Sequence, residues 1–295
     1  MLLQAAAAAA GGQRFAAGAL YVVATPIGNL ADLTLRAIHL LDLVDAVACE
    51  DTRVTGRLLH HLGLDKPLIA LHEHNELAAS QQVLARLASG ERVAYASDAG
   101  TPAISDPGAA LVAAAAAAGH PVVAIPGASS VVAALSVAGD AQATGFGFHG
   151  FLPPKGQERR DALDALLALP GSQVLFEAPH RIHKLIELLA ELAPQRQLTI
   201  CRELTKQFEQ VHTLAAADAP GWLAADAQRG RGEFVLVLHA VPAASTAPAA
   251  AAEGERVLAL LLRELPLKQA VTLAADISGA PRNALYSRAL ELREG

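Results

Sequence analysis

Cysteine is almost missing from this chain. The two present, Cys49 and Cys201, stand far apart and neither has a CxxC companion, which excludes a disulfide-stapled scaffold and a paired-thiolate metal site and suits a reducing cytoplasm. Long apolar runs are missing too: the stretch Leu111 to Ala118 is mostly alanine, stops at Gly119-His120-Pro121, and falls well short of the roughly 20 residues of a membrane span. The expectation is a soluble protein with no membrane partner. Positive charge is not in excess, since 23 Lys and Arg against 29 Asp and Glu leave a formal charge of −6. That excludes a protein that coats nucleic acid nonspecifically, which requires many cations set against phosphates, and confines any RNA contact to a local patch. No Gly-Lys-Ser/Thr follows any glycine-rich loop, so there is no P-loop, and no third partner accompanies His72 and His74 to make a metal site. Met1 to Ala10 lacks the basic start of a secretory signal, and the leader, residues 1–18, reads as a disordered Ala-rich segment.

What is present is globular. Aromatic residues are scarce at 4% and alanine inflates the 53% apolar content, yet 18% charged residues keep the balance of a folded soluble chain. At 295 residues the chain exceeds what one core usually serves, so two domains and an appendage are expected. Residues 19–143 repeat a strand, loop and helix rhythm: Leu20 to Ala24, Ala46 to Cys49, Leu68 to Leu71, Arg92 to Ala96 and Val122 to Ile125 are short apolar runs separated by helical periodicity. Five such steps predict an α/β domain with a largely parallel sheet. Residues 144–240 change rhythm, with Phe146 to Phe151, Gln173 to Glu177, Leu198 to Cys201, Phe208 to His212 and Phe234 to His239 as strands of a smaller α+β domain with a mixed sheet. Residues 241–253 are Ala/Pro-rich and read as a flexible linker. Residues 254–295 hold three helix-sized pieces, in which Ala270, Leu273, Ala274 and Ile277 face Leu285 and Leu290 across a glycine-containing turn, as in a helix-turn-helix or any small helical bundle.

Chemistry concentrates in loops at strand ends. Ser97 to Gly108 carries two glycines, two prolines and Asp98 and Asp106 between a strand and a helix; glycine admits a ligand close to backbone, while the plainer reading is a tight turn with Asp106 as a helix cap. Thr25 to Leu30 and Pro126 to Ser130 have the same placement, the latter with Ser129 or Ser130 as an alternative simple cap. In a parallel sheet these three loops share one rim, where ligands sit outside the carboxyl ends of the strands. Glu50, Asp51 and Arg53 follow the second strand and His72 the third: Glu50, Asp51 and His72 are candidates for taking a proton and Arg53 for pairing with a carboxylate, with a structural salt bridge or helix cap as the ordinary alternative for the Glu50 to Arg53 group. His180, Arg181 and His183 at a helix start offer an anion contact, or are surface residues. Lys155, Arg159, Arg160, Arg181, Lys184, Arg202 and Lys206 form a candidate basic patch, although charged helical faces are commonly just solvated.

Taken together, Tyr21 to Ala37 (YVVATPIGNLADLTLRA), Glu50 to Arg53 (EDTR), Leu71 to Glu76 (LHEHNE), Ser97 to Pro102 (SDAGTP), Asp106 to Gly108 (DPG), Ile125 to Gly127 (IPG), Gly150 to Pro154 (GFLPP), Glu177 to Arg181 (EAPHR) and Arg202 to Lys206 (RELTK) resemble the RsmI family, the ribosomal RNA small subunit methyltransferases I. That family lies within the tetrapyrrole-methylase superfamily. The resemblance runs from Leu20 to the C-terminus and leaves the leader outside. Ala24 and Pro26 stand where tetrapyrrole methylases carry glycine, only Gly28 being retained, and Gly100-Thr101-Pro102 replaces their Gly-Asp-Pro; both departures resemble the RNA-modifying branch.

The resemblance implies a two-domain tetrapyrrole-methylase-like fold with a C-terminal helical appendage, S-adenosylmethionine as cofactor in the interdomain cleft, and a homodimer in the cytoplasm. It implies 2′-O-methylation of the ribose of cytidine 1402 in 16S rRNA, in the family's rRNA numbering, within the small ribosomal subunit. Pro26, Gly28, Asp98, Gly100, Thr101, Pro102, Ile104, Ser129, Ser130 and Phe176 are the expected cofactor residues; Glu50, Asp51, Arg53 and His72 the catalytic candidates; and Lys155, Arg181, Arg202 and Lys206 the RNA contacts. Two rivals remain open at this point: methylation of a tetrapyrrole or corrinoid, and a cofactor-sensing regulator whose C-terminal helices bind DNA.

Overall fold

A computed structural model describes every residue except Glu73, Asp106, Pro242 and Gly295, with backbone alone for 243–249, 293 and 294. The first element differs from expectation. Leu2–Ala10 (α1) is a helix whose Ala6 and Ala10 are fully buried, Ala6 within the core of the first domain, so the leader is ordered rather than a disordered tail. Alanine explains it: the best helix former needs no wide apolar stripe to lie flat on a neighbour.

The first domain then runs Leu20–Val23 (β1), Leu35–Leu43 (α2), Ala46–Cys49 (β2), Thr52–His61 (α3), Leu68–Ala70 (β3), Glu76–Ala88 (α4), Val93–Ala96 (β4), Ala109–Ala117 (α5), Val122–Ile125 (β5) and Ser130–Ala138 (α6). The strands form one parallel sheet in the order β3-β2-β4-β1-β5. Its central members β2 (AVAC) and β4 (VAYA) are buried along their whole length, as continuous apolar runs in parallel sheets should be. One face is covered by α1, α2 and α3 through Ala37, Leu40, Leu41 and Leu59; the other by α4 and α5 through Val83, Leu87 and Leu111. The chain therefore leaves β1 towards one face and β4 towards the other. These two strands are neighbours, so the sheet's switch point lies between them and opens a crevice at their carboxyl ends.

Local signals set the helix starts. Thr34 Oγ1 accepts from the Ala37 amide at 3.1 Å to open α2, and Asp51 accepts from the Arg53 amide at 2.8 Å to open α3. Helix α5 begins instead at Gly108, whose φ of 113° and contact with the buried Tyr95 ring leave no room for a side chain. The proposed Asp106 cap falls outside the described residues.

The second domain comprises Phe146–Phe151 (β6), Gly156–Leu167 (α7), Ser172–Glu177 (β7), Ile182–Leu192 (α8), Gln197–Arg202 (β8), Gln210–Ala215 (β9), the short Ala219–Ala224 (α9) and Phe234–Leu238 (β10). Its sheet has the order β6-β7-β10-β8-β9, with β6 and β7 parallel and the remaining pairs antiparallel. One face packs on α7, α8 and α9. The other receives α6 of the first domain, where Val131, Ala134 and Ala138 meet Val174, Cys201, Val235 and Val237 in a shared core. Asp140 clamps the joint by accepting from Ser172 Oγ at 2.5 Å and the Ala240 amide at 2.6 Å.

Ala243–Leu261 (α10), Leu267–Ser278 (α11) and Arg282–Glu294 (α12) close the chain. The segment 241–253, read as a flexible linker, is helical from Ala243. Its composition suggested a linker, but alanine, the best helix former, carries the helix on past Pro248. The three helices share a small core of Val257, Leu258, Ala270, Val271, Ala274, Leu285 and Ala289. Leu273, Ile277 and Leu290, expected to face one another, are exposed instead; Val271 and Ala289 occupy the core positions on the adjoining helical stripe.

Candidate functional site

The three rim loops bond to one another. Thr25 and Gly100 exchange backbone hydrogen bonds of 2.9 and 3.1 Å, a two-residue bridge between the loop after β1 and the loop after β4. The buried Thr25 hydroxyl donates to the Ser97 carbonyl at 3.1 Å, and Ser97 Oγ donates to the Gly100 carbonyl at 3.1 Å. The third loop joins through Thr101 Oγ1, which donates to the Ala128 carbonyl at 3.0 Å. Gly100 holds a φ of 83° with Ile27 pressed beside it, and a Cβ there would lie 3.1 Å from Ile27 Cγ2. Ala103 has a φ of 63°, a strained position for a non-glycine residue in the same loop.

Above these loops lies a cleft of about 430 Å³ between the domains, within the roughly 300–1,000 Å³ of small-molecule sites. Ile27, Ala99, Ser105 and Ser130 line it from the first domain, and Phe151, Phe176, Glu177, Leu204 and Val235 from the second. A side recess of about 50 Å³ shares Ala99, Ser130 and Phe176 and is walled by Gly100, Thr101, Ile104 and Ser129. Phe176 is held edge-on between Phe148 and Phe151, with ring centroids 4.9 and 5.6 Å away. Ser129 is the N-cap of α6, yet its side chain makes no capping bond, so the simple-cap alternative does not describe it.

Not every expected residue meets there. Pro26 and Asp98 line a different hollow of about 330 Å³ beside α3, together with Thr55, Arg57 and His61. The Asp98 carboxylate accepts the Asp51 amide at 3.0 Å, which ties it to the start of α3 rather than to the cleft. Pro102 is buried beneath its loop. Gly28 is covered by Lys206: a Cβ on Gly28 would stand 2.6 Å from Lys206 Cγ.

Lys206 bridges the domains from above. Its ammonium reaches Glu203 at 2.9 Å and Glu233 at 2.7 Å. Burial lowers its pKa, but these two carboxylates outweigh burial and raise it; for Glu203, hydrogen bonds from Lys206 and the Glu233 amide likewise outweigh burial and lower it. The segment carrying them is bent tightly, with φ of 53° at Glu203 and 66° at Thr205. Arg202, expected to touch RNA, points inward: it is 7% exposed and donates to the carbonyls of Arg231 at 2.6 Å and Phe208 at 3.1 Å, fixing the turns that carry Lys206.

Among the catalytic candidates, Asp51 and Arg53 form an ion pair of 2.6 Å on the surface of α3. Hydrogen bonds from the Arg53 side chain, then from its amide, hold the Asp51 carboxyl at about 2. His72 is exposed, its amide donates to Asn75 Oδ1 at 2.8 Å, and its ring lies edge-on to His74 at 6.1 Å. Neither lines the cleft. Ile27, Leu204 and Val235 do, and the sequence reading did not single them out. They look like core residues in sequence, and only the docking of the second domain turns them towards a ligand.

Residues 19–220 match the family model of tetrapyrrole (corrin/porphyrin) methylases, and residues 248–293 match that of the RsmI C-terminal HTH domain. The ribosomal RNA small subunit methyltransferase I of Escherichia coli O157:H7 is 45% identical over 93% of this chain and 95% of its own. The chain belongs to the RsmI family. The Xylella fastidiosa (strain Temecula1) member of that family is 47% identical over 91% of this chain and 98% of its own. Among solved structures, uroporphyrin-III C-methyltransferase of Thermus thermophilus complexed with S-adenyl homocysteine covers 75% of this chain and 97% of its own at TM-score 0.52. At 17% identity that likeness speaks for the tetrapyrrole-methylase fold alone. Among the described residues, no helix is long and apolar enough to cross a membrane.

Proposed function

We propose that this protein transfers a methyl group from S-adenosylmethionine to the ribose 2′-hydroxyl of cytidine 1402 in 16S rRNA. The observation that carries the reading is the triangle of rim loops, joined along two sides from Thr25 to Gly100 and from Thr101 to Ala128, beneath an interdomain cleft of suitable size. The cleft fits such a cofactor in chemistry as well. Ile27, Phe176 and Val235 offer apolar walls to a nucleobase, Ser129 and Ser130 carry hydroxyls for polar groups, and the left-handed Gly100 lets backbone approach closely. Gly100, Thr101, Ile104, Ser129, Ser130 and Phe176 are the residues assigned to hold it.

Bound there, S-adenosylmethionine supplies an electrophilic methyl group on a sulfonium, which departs without needing protonation. The chain's main task is then alignment, and the rigidly joined loops supply it. The ribose hydroxyl must also lose its proton, best to a group with a pKa near the working pH. At about 2, Asp51 is a poor acceptor, and none of Glu50, Asp51 and His72 lines the cleft, so the candidates named from sequence do not supply this group from its walls. Identity of 45–47% to rRNA methyltransferases over nearly the whole chain favours this substrate over a tetrapyrrole, and joins an enzymatic domain to the C-terminal helices that a regulator would use on DNA. A homodimer acting on the assembled small subunit in the cytoplasm completes the proposal.

Small subunits lacking the modification, incubated with methyl-labelled cofactor and digested to nucleosides, should yield label on the sugar of one cytidine. Label on the base, or none at all, refutes the reading.

A further inference from the structure

A second cleft, of about 730 Å³, lies on the second domain where α7 and α8 both begin. Neither helix start receives a side-chain cap, so both present first-turn amides and the positive end of the helix dipole. Five cationic side chains line the cleft: Lys155, Arg159, Arg160, Arg181 and Lys184. Against them stand Glu187 and Glu191 on the wall and Glu177 beneath, and Glu191 is already taken by Arg160 at 2.6 Å.

The floor points to a ligand independently. Arg159 is 6% exposed and holds Glu177 at 2.6 Å, while Arg181 Nε stands 3.0 Å from the other oxygen of the same carboxylate. Two guanidinium groups thus share one buried carboxylate, an excess of one positive charge. The Nε of Arg159 is buried without a hydrogen-bond partner. An unbalanced charge and an unmet donor in the interior are costly unless an anion completes them. Lys155 and Lys184 are exposed above, and among the described residues neither has a carboxylate within ion-pair distance.

The cleft is also joined to the cofactor site. Glu177 lines the interdomain cleft with one face and binds Arg159 and Arg181 of the basic cleft with its oxygens. One residue layer separates the two.

We propose that this cleft seats a phosphodiester of the RNA strand whose ribose is being methylated, an inference that rests on the proposed function above. The seat positions the strand from its backbone, so that a neighbouring ribose can enter the interdomain cleft beyond Glu177; phosphate contacts fix register without reading sequence. Arg159 and Arg181 form its fixed floor and Lys155 and Lys184 its exposed rim.

The test uses the full-length protein and the exposed rim, since replacing the buried Arg159 would disrupt the ion-pair cluster around Glu177. K155Q/K184Q is compared with R14Q/R86Q, which removes the same charge from the first domain. Retention of labelled small subunits lacking the modification is followed by filter binding against salt concentration. The rim variant should bind about tenfold more weakly, with the slope of log K against log salt reduced by roughly 1–2, and with unchanged affinity for S-adenosylhomocysteine by calorimetry. The control pair should match the unsubstituted protein. Equal affinity and slope in the rim variant overturn the seat, as does an equal loss in the control, which would mark a general charge effect. Methyl transfer by the unsubstituted protein is measured alongside. Its absence sinks the functional reading, whereas a normal rate with unaltered RNA retention in the rim variant sinks the seat alone.

Discussion

Replacing Gly100 with alanine tests whether the bonded loops shape the cofactor cleft. Gly100 sits at φ 83°, both its amide and its carbonyl bridge to Thr25, and a Cβ there meets Ile27 Cγ2 at 3.1 Å. An L-residue in that conformation costs about 1–2 kcal/mol, of which about 0.5 kcal/mol returns because alanine narrows the unfolded ensemble. A net loss of about 1 kcal/mol lowers the melting temperature by roughly 2–4 °C in a chain of this size. The contact at Ile27 adds a local effect, because that side chain must move by a few tenths of an ångström and it is part of the cleft wall. Displacements of that order at a reacting centre cost about tenfold in rate, so kcat/KM and S-adenosylhomocysteine affinity should each fall by about that factor. Gly119 is the matched control, since its φ is 80° and nothing lies within 4 Å of a Cβ built on it. G119A should show the same melting shift with cofactor affinity intact. If calorimetry finds the two variants equal in cofactor affinity, the loop triangle does not set the cleft and the reasoning fails.

The same geometry fixes four other outcomes. Lys206→Met leaves the half-buried Glu203 facing Glu233 without their shared cation, and should cost about 1–3 kcal/mol in chemical denaturation; because the Lys206 pKa is raised on folding, its contribution is full below about pH 10.4 and should fade as pH rises further, so a difference from wild type that persists undiminished at high pH contradicts it. Asp51 has a lowered carboxyl at about 2, so its support of α3 is complete above about pH 3.9 and is lost as pH falls towards 2; D51N should lower the melting temperature at neutral pH, and an acid limb of kcat that moves in this variant would show that Asp51 is the base after all. Cys201 is fully buried and burial pushes its thiol to about 12, with Cys49 raised for the same reason; a thiol reagent at pH 8 should label both only after denaturation, and prompt labelling of the native protein refutes the burial. Removing residues 1–12 uncovers the face of α2 on which Ala6 rests and should destabilise the first domain by a few kcal/mol, whereas an unchanged melting curve would restore the disordered leader.

The parallel sheet was legible because both its signals are local: each strand is an apolar run, and each connection carries its own helical period and its own turn residues. Ala46–Cys49, Val122–Ile125 and Phe146–Phe151 match the boundaries read from sequence for this reason. The convergence of the three loops was legible too, since a parallel sheet places strand ends on one rim whatever its order. What escaped depends on long-range packing. Alanine-rich α1 and the start of α10 have too little amphipathic contrast to separate a docked helix from a tail. Arg159 and Arg202 carry the same letter as any surface arginine, and only Glu177 in one case and the carbonyls of Phe208 and Arg231 in the other turn them inward. Ile27 and Leu204 reach the cleft because α6 docks on the second sheet, a contact that no periodicity encodes.

Asp98 belongs to the loop that bears Gly100 and Thr101, yet its carboxylate turns back to accept the Asp51 amide, and Asp51 in turn caps α3 and grips Arg53. Those three residues, taken from sequence as cofactor and catalytic groups, instead form a brace from the end of β2 to the end of β4, behind the loop rather than in front of it. A brace there matters because Ala103 of the same loop holds a φ of 63°, a left-handed conformation that costs a non-glycine residue energy. Methyl transfer from a good leaving group asks chiefly for fixed distances, so the charged cluster contributes most by stiffening the loop proposed to hold the cofactor, and on that proposal the proton passes to a group less firmly committed than Asp51.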